Sequence, residues 1–455
     1  MGARPFNPGA GASGGGGGSS SPAKLGEYLS VWGDSRTAQN WTTSVNPTVP
    51  GPLSRSWAWW SEALSGRVRM THRYNFGVSG DSTAQLLARM TGDVANGAGV
   101  KPSEVPAGPA VLFIGTNSVN AGVSVADLMT QLNACIDWLQ GKGHMVFVVA
   151  EWPRGTGTTE GSNGLLSAAN QKTLYAYASE IRRLNVTKKG VHVVDPWPWL
   201  ADPTSSKASV IPKAYNVDGL HNAPGNAFIV GELLAKAYEK AGLPKQVFPV
   251  GSQDLWDVTN PYGCQNKNPM LTLGAGGNKS TNADPASVVP ENYTLTATTG
   301  LTVLGSFVTV TMPDGSKRPA YRMVVSGIAD GAVNNPNMML RQSSMYDAEK
   351  QKVGDILEAG YEVIVADGHK NLSSVGISLT NGVTANTAYG GLQLTGDQTM
   401  PESCVKGFYA TPRTNEFTVT SAAQLNFELR FYCSEAGAQT NVTVDILGAW
   451  VRKKQ

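Results

Sequence analysis

Five short runs in the first half of the chain, separated by segments of mostly helical period, constrain its fold more than any other feature. They are Tyr28–Trp32, Tyr74–Val78, Ala110–Ile114, Met145–Ala150 and Val191–Val194. Each is strand-length and either apolar or alternating, which suits a buried strand of a parallel sheet. Parallel neighbours need a crossover between them, and helices supply it. The clearest helix starts at Ser124, where Asp127 three residues on completes an N-cap signature. Its Leu128, Leu132, Cys135, Ile136 and Leu139 recur at spacings of three and four, and Gly141 closes it. Leu165–Leu184 and Ala223–Ala241 are further candidate helices. Strands alternating with helices predict an α/β domain over residues 24–243, with its sheet covered on both faces.

After Leu243-Pro244 the pattern changes. Glycine-rich and Asn-Gly turns separate the runs Tyr293–Ala297, Leu301–Thr311, Tyr321–Val325, Tyr361–Val365, Phe417–Thr420, Leu425–Tyr432 and Val442–Val451. Several alternate apolar with polar residues, as half-buried strands do. An all-β sandwich of jelly-roll type is expected over 260–455, with 244–259 as linker. Residues 1–23 are Gly, Ser, Pro and Ala with hardly a large apolar side chain, and cannot offset the entropy of ordering. They read as a flexible arm, either a tether to a larger assembly or a plain spacer. The 455 residues suffice for two large domains, each with its own core. Residues 24–243 are expected to fold without the β-domain.

Composition narrows the function classes. A net charge of +2 and a charged fraction of 15% give no reason to expect nucleic acid or an anionic membrane as partner. No stretch approaches the ~20 apolar residues of a membrane span. The N-terminus lacks the apolar core of a secretory signal, so no signal peptide is expected. Four cysteines do not make a disulfide framework. Cys135 reads as a buried thiol, while Cys404 and Cys433 could pair.

The first strand runs directly into Gly33-Asp34-Ser35. In an open parallel sheet, ligands bind beyond the carboxyl ends of the strands, where a serine hydroxyl can be exposed before a helix. Gly-Asp-Ser alone is also a common turn and cap. The second strand leads to Gly80, where the absence of a side chain lets a backbone N–H approach a ligand, or merely makes the turn. The third leads to Gly115-Thr116-Asn117, whose amide could point to the same place or stabilise a turn. Asp218-Gly219-Leu220-His221 precedes the last helix of the domain. Of the five histidines, only His221 has a carboxylate three residues upstream in a loop before a helix. Each signal is weak alone; their order, and their placement at strand ends or before helices, is what carries weight.

In that order the four blocks resemble those of the GDSL/SGNH hydrolase superfamily, over roughly 24–243. The resemblance implies a flavodoxin-like three-layer α/β/α fold and ester hydrolysis through an acyl-enzyme, with no cofactor and no metal. It makes Ser35 the nucleophile, His221 its base and Asp218 the group that orients the imidazole. The N–H groups of Ser35 and Gly80 and the side chain of Asn117 would form the oxyanion hole. Asp34 would hold the turn. Two positions depart from the pattern: Arg36 stands where Leu gives the family its four-letter name, and Ser118 where many members carry Asp.

Trp41, Trp57, Trp59, Trp60, Trp152 and Trp197 make this domain tryptophan-rich. Most tryptophans are packed, but Trp41 and Trp152 follow the first and fourth strands and are the candidates for stacking on a substrate. With the β-rich half, they favour an esterase that removes O-acyl groups, acetyl foremost, from a surface polysaccharide. A bacteriophage virion protein would be made in the cytosol and meet such a glycan after release, with the arm attaching it to virion proteins. The rivals are a virion structural or receptor-binding protein with a vestigial hydrolase domain, and a lipid or thioester hydrolase.

Overall fold

The computed structural model describes residues 26–42, 51–155, 164–204, 218–245, 254–272, 274–312, 314–331, 336–382, 387–391, 406–433 and 436–454. The arm 1–23, residues 246–253 of the expected linker and Cys404 lie outside them.

The apolar runs of the first half form strands close to their expected bounds. In chain order these are β1 (Tyr28–Gly33), the short pair β2 (Trp41–Thr42) and β3 (Gly51–Pro52), β4 (Arg69–Gly77), β5 (Pro109–Phe113), β6 (Met145–Val149) and β7 (Val191–Val194). Apart from β2 and β3 they make one sheet in the order β4-β1-β5-β6-β7. All its pairings are parallel, with Val31 opposite Val111 and Val111 opposite Phe147. That is the flavodoxin-like order, and the chain reverses its direction of winding between β1 and β5. The carboxyl ends of those two strands carry Ser35 and Asn117.

The connecting helices are α1 (Ser35–Ala38), α2 (Trp57–Ser65), α3 (Thr83–Thr91), α4 (Thr116–Asn120), α5 (Val125–Gly141), α6 (Ala168–Thr187), α7 (Trp197–Leu200) and α8 (Pro224–Lys240). Successive strand residues go to opposite faces of the sheet. Val31, Val111, Phe113 and Val149 belong to the core with Trp57 and Trp60 of α2 and Phe228 and Leu234 of α8. Trp32, Leu112, Val146 and Val148 pack with Leu86, Ile136 and Ile181 of α3, α5 and α6. The expected stripe of α5 is buried throughout, and Ser124 Oγ accepts the Asp127 N–H at 3.1 Å. Helix α2 has no counterpart in the sequence reading. Eight of its nine residues are buried, so it has no polar face to give it a helical period.

The second half is β-rich. Its strands are β8 (Asn278–Lys279), β9 (Thr294–Ala297), β10 (Leu301–Thr311), β11 (Lys317–Ile328), β12 (Asn337–Gln342), β13 (Ile356–Val365), β14 (Leu372–Asn381), β15 (Thr387–Gly390), β16 (Phe408–Ala410), β17 (Phe417–Thr418), β18 (Leu425–Cys433) and β19 (Gln439–Lys453). One sheet runs β10-β11-β19-β13-β16 with β17 also on β13, and the other β15-β14-β18-β12-β9-β8. All pairings within them are antiparallel except β8 with β9. The sheets meet where Tyr361 of β13 packs edge-on against Phe431 of β18 and donates from its hydroxyl to the Gly376 carbonyl of β14 at 3.2 Å.

The two halves share one core. The apolar cluster on the α2/α8 side of the parallel sheet continues without a break into the interior of the β-sheets. Phe408 of β16 packs on Trp60 and Phe228, with ring centroids 6.0 and 5.1 Å apart. Buried Glu62 of α2 pairs with buried Arg413 at 2.9 Å, and Arg69 of β4 pairs with Glu358 of β13. Thr411 donates its backbone N–H to the Ala63 carbonyl at 2.6 Å. The expectation that residues 24–243 fold alone does not fit such an interface, because removing the sheets would expose these aromatics and strip buried charges of their partners.

Candidate active site

Asp34, 0% exposed, caps α1 by accepting the Arg36 N–H at 3.0 Å. That turn sets Ser35 as the first residue of α1, beyond the end of β1. Ser35 is only 6% exposed, and among the described residues its hydroxyl makes no hydrogen bond. Gly80 lies in the loop after β4 with φ +86°, a left-handed conformation that explains glycine there. Nothing lies within 4 Å of the place a Cβ would occupy, so the backbone angle rather than crowding selects it. Gly115 also has positive φ, 146°, and an added Cβ would sit 2.3 Å from the Tyr177 ring.

Asn117, in the first turn of α4, donates from Nδ2 to the Asp81 carbonyl at 3.0 Å. This bond joins the third block to the second and leaves Asn117's other amide hydrogen for a ligand. Ser118, where many relatives of the resembled family carry Asp, accepts the N–H of Thr83 at 2.9 Å and so fixes the start of α3.

His221 and Asp218 stand together. Asp218 Oδ2 is 2.6 Å from His221 Nδ1, and its Oδ1 accepts the N–H groups of Leu220 and His221, each at 3.0 Å. A carboxylate facing Nδ1 holds the proton there and leaves Nε2 as the basic nitrogen. Burial by itself would raise the Asp218 carboxyl. The hydrogen bonds from His221 and Leu220 outweigh it and hold Asp218 below the usual carboxylate range. The next residue, Asn222, donates from Nδ2 to the Arg36 carbonyl at 3.1 Å. His221 and Ser35 each precede one end of that bond, so the two segments that carry them meet there.

Arg36 is the functional residue that sequence reasoning missed. It is 2% exposed, and its guanidinium meets Asp34 Oδ2 at 2.7 Å and Glu151 at 2.7 and 2.8 Å. It also lies over the Phe113 ring, 3.9 Å from the centroid. Desolvation would lower its pKa, but Asp34 and Glu151 more than reverse that and hold it well above the usual arginine value. Glu151, beyond the end of β6, accepts the Thr116 N–H at 3.0 Å. The neighbour of the serine is thus bonded to the neighbour of the histidine through its carbonyl, and through Glu151 to the neighbour of Asn117. An arginine next to the serine and an acid at the end of a buried strand were both legible, but their pairing across 115 positions was not.

The structure separates the two candidate tryptophans. Trp152 is 1% exposed and stacks on Phe113 at 4.5 Å between centroids, so it is a core residue and not a platform for substrate. It follows the strand end as expected, but its ring lies by the Arg36 guanidinium, 5.5 Å from the ring centroid. Trp41 is half-buried and faces the His72 ring at 5.4 Å. Trp57, Trp59 and Trp60 are core. Among the described residues no group of three His, Cys, Asp or Glu could hold a metal, and no helix is long and apolar enough to cross a membrane.

None of the curated proteins matches the chain. Among solved structures it is similar to a GDSL-like lipase from Bacteroides thetaiotaomicron, at 17% identity over 47% of this chain and 89% of that one, with a TM-score of 0.34. A member of the lipolytic protein G-D-S-L family from Veillonella parvula aligns at 16% identity over 47% of this chain and 96% of its own, TM-score 0.32. A carbohydrate acetylesterase from Sinorhizobium meliloti aligns at 15% over 48% and 100%, TM-score 0.31. Likenesses this weak carry no chemical argument. The model of the GDSL-like Lipase/Acylhydrolase family matches residues 31–221, from the first strand to the histidine. Over that span the α/β half of the chain is similar to the GDSL-like lipase/acylhydrolase family.

Proposed function

We propose that the chain is a serine esterase that removes O-acyl groups, acetyl foremost, from a polysaccharide. The observation that carries the esterase reading is the Asp218–His221 pair, 2.6 Å apart, with the next residue, Asn222, bonded to the carbonyl of Arg36, the residue after Ser35. Ser35 Oγ attacks the ester carbonyl as His221 Nε2 takes its proton, and Asp218 stabilises the imidazolium that results. The developing oxyanion lies between the N–H groups of Ser35 and Gly80 and the remaining amide hydrogen of Asn117. Collapse expels the sugar alkoxide, which His221 protonates. Water, deprotonated by the same histidine, then attacks the acyl-serine and releases the carboxylate. The approach of His221 to the hydroxyl completes on substrate binding, as catalytic hydrogen bonds often do.

The glycan part of the reading draws on a low charge density and on the β-rich second half, which offers polar surfaces suited to hydroxyl groups. Attachment to a bacteriophage particle through arm 1–23 belongs to the same proposal and draws on the composition of that arm. The test is acetate release from a panel of acetylated polysaccharides by the full-length protein, with Ser35→Ala as control. Release that Ser35→Ala abolishes without unfolding is expected. Preference for long-chain esters would favour a lipid hydrolase, and inertness on every ester a structural role.

A further inference from the structure

The β-rich half has a pocket of its own, about 270 Å³ in volume and separate from the Ser35 site. That is near the lower end of the ~300–1,000 Å³ of small-molecule sites, so it suits a unit the size of a sugar ring. Its walls come from three stretches of chain: Gln265 and Lys267 ahead of the first sheet strand, Asn292 just before β9, and the end of β12 with the loop after it, from Gln342 to Lys350.

Two amide side chains are buried in this wall, Gln265 and Gln342, each 2% exposed. Gln265 is held in orientation, since its Oε1 accepts from Nε2 of Gln351 at 3.1 Å and Gln351 in turn accepts the Asp347 N–H at 2.8 Å. Gln342 differs: its Oε1 is buried and has no hydrogen-bond partner among the described residues. Folded proteins rarely leave such an acceptor unpaired, and the residue that carries it lines the pocket. The charges point to the kind of ligand. Lys350 shares Asp347 at 3.7 Å and extends over the Trp256 ring, while Lys267 is exposed and makes no ion pair among the described residues. Two ammonium groups against one carboxylate leave the mouth positive. Buried amides suit vicinal hydroxyls, the half-buried Tyr346 ring suits the apolar face of a sugar, and the spare ammonium suits a carboxylate.

We propose that this pocket binds a carboxylated sugar unit, of uronic-acid type, and so holds an acidic polysaccharide against the enzyme. The source of the ligand rests on the glycan reading above, whereas the site itself rests on the pocket. The test uses full-length Ser35→Ala protein, so that binding is read without hydrolysis. Isothermal titration is made with hexamers of galacturonate, alginate and hyaluronan, each beside its carboxyl-reduced counterpart. At least one acidic hexamer should bind, roughly tenfold more tightly than its reduced form, the effect of losing one charge-assisted hydrogen bond. Lys267→Met with Lys350→Met should bring the acidic hexamer down to the level of the reduced one, and Gln342→Leu should weaken both forms. Lys267 and Lys350 are not core residues, so their variant stays informative if Gln342→Leu does not fold. No binding of any acidic hexamer, or binding indifferent to both lysines, overturns the proposal. Hydrolysis of p-nitrophenyl acetate, measured with Ser35 present, should be unchanged by the lysine substitutions. Inertness toward that ester with hexamer binding intact removes the esterase reading alone; activity without hexamer binding removes the pocket alone.

Discussion

Arg36 departs from the four-letter pattern of the family that the chain resembles, and the structure gives the departure a cause. Two carboxylates, Asp34 and Glu151, are buried against its guanidinium, both 0% exposed. Replacing it by the family's leucine would leave both without a cation, and breaking a buried pair in this way costs about 3–5 kcal/mol. Arg36→Leu is therefore expected to lower the urea midpoint sharply, and Arg36→Leu with Glu151→Leu to recover part of the loss. A midpoint near wild type in the single variant would mean that the ion pairs do not hold the turn. Asp218 allows a kinetic test at the same scale. It stays ionised to below the ordinary carboxylate range, so activity should persist on acidification through that range as far as Asp218 is concerned. Asp218→Asn removes the charge that stabilises the imidazolium formed during the reaction, so kcat should fall severely. If Asp218 served only to accept the N–H groups of Leu220 and His221, asparagine would do as well. Near-normal kcat would thus reduce the triad to a dyad.

The elements were legible where their burial is one-sided or complete over a short run. All five sheet strands and helix α5 lie within a few residues of the sequence reading, because a buried run or an apolar stripe survives in the residues themselves. Strand β14 was not read, since its buried Ser373, Ser374 and Ser378 look polar in sequence. Their hydroxyls are satisfied across the sheet, as when Ser378 Oγ donates to Glu428 at 2.9 Å. The loop after β4 is the element through which the second block acts. Gly80→Ala meets no atom there, so its cost is the positive φ, about 1–2 kcal/mol for an L-residue. The loop is expected to relax and carry its N–H away from the developing oxyanion, lowering kcat several-fold while KM changes little. A change confined to KM would assign the loop to ground-state binding.

At the scale of the molecule, the sheets of the second half complete the first. Trp60, Phe228, Glu62 and Arg69 all lie against residues beyond position 350. A chain ending at Leu243 would present those aromatics to water together with a carboxylate and a guanidinium that have lost Arg413 and Glu358. It is expected to aggregate or to lack a cooperative unfolding transition, by size-exclusion chromatography and circular dichroism. A soluble 24–243 fragment with full activity on p-nitrophenyl acetate would show that the interface is dispensable. By itself the sequence determined the alternation of strand and helix, the change to β-structure after Pro244, and the four blocks with Ser35, Gly80, Asn117, Asp218 and His221. These are carried by local pattern and by residue types tied to one chemistry. Only the tertiary structure decided that Arg36 links the site, that Trp152 is core, and that the halves share an interior. Each of these depends on contacts between residues far apart in the chain, and period, composition and spacing record burial and turns but not which distant groups meet.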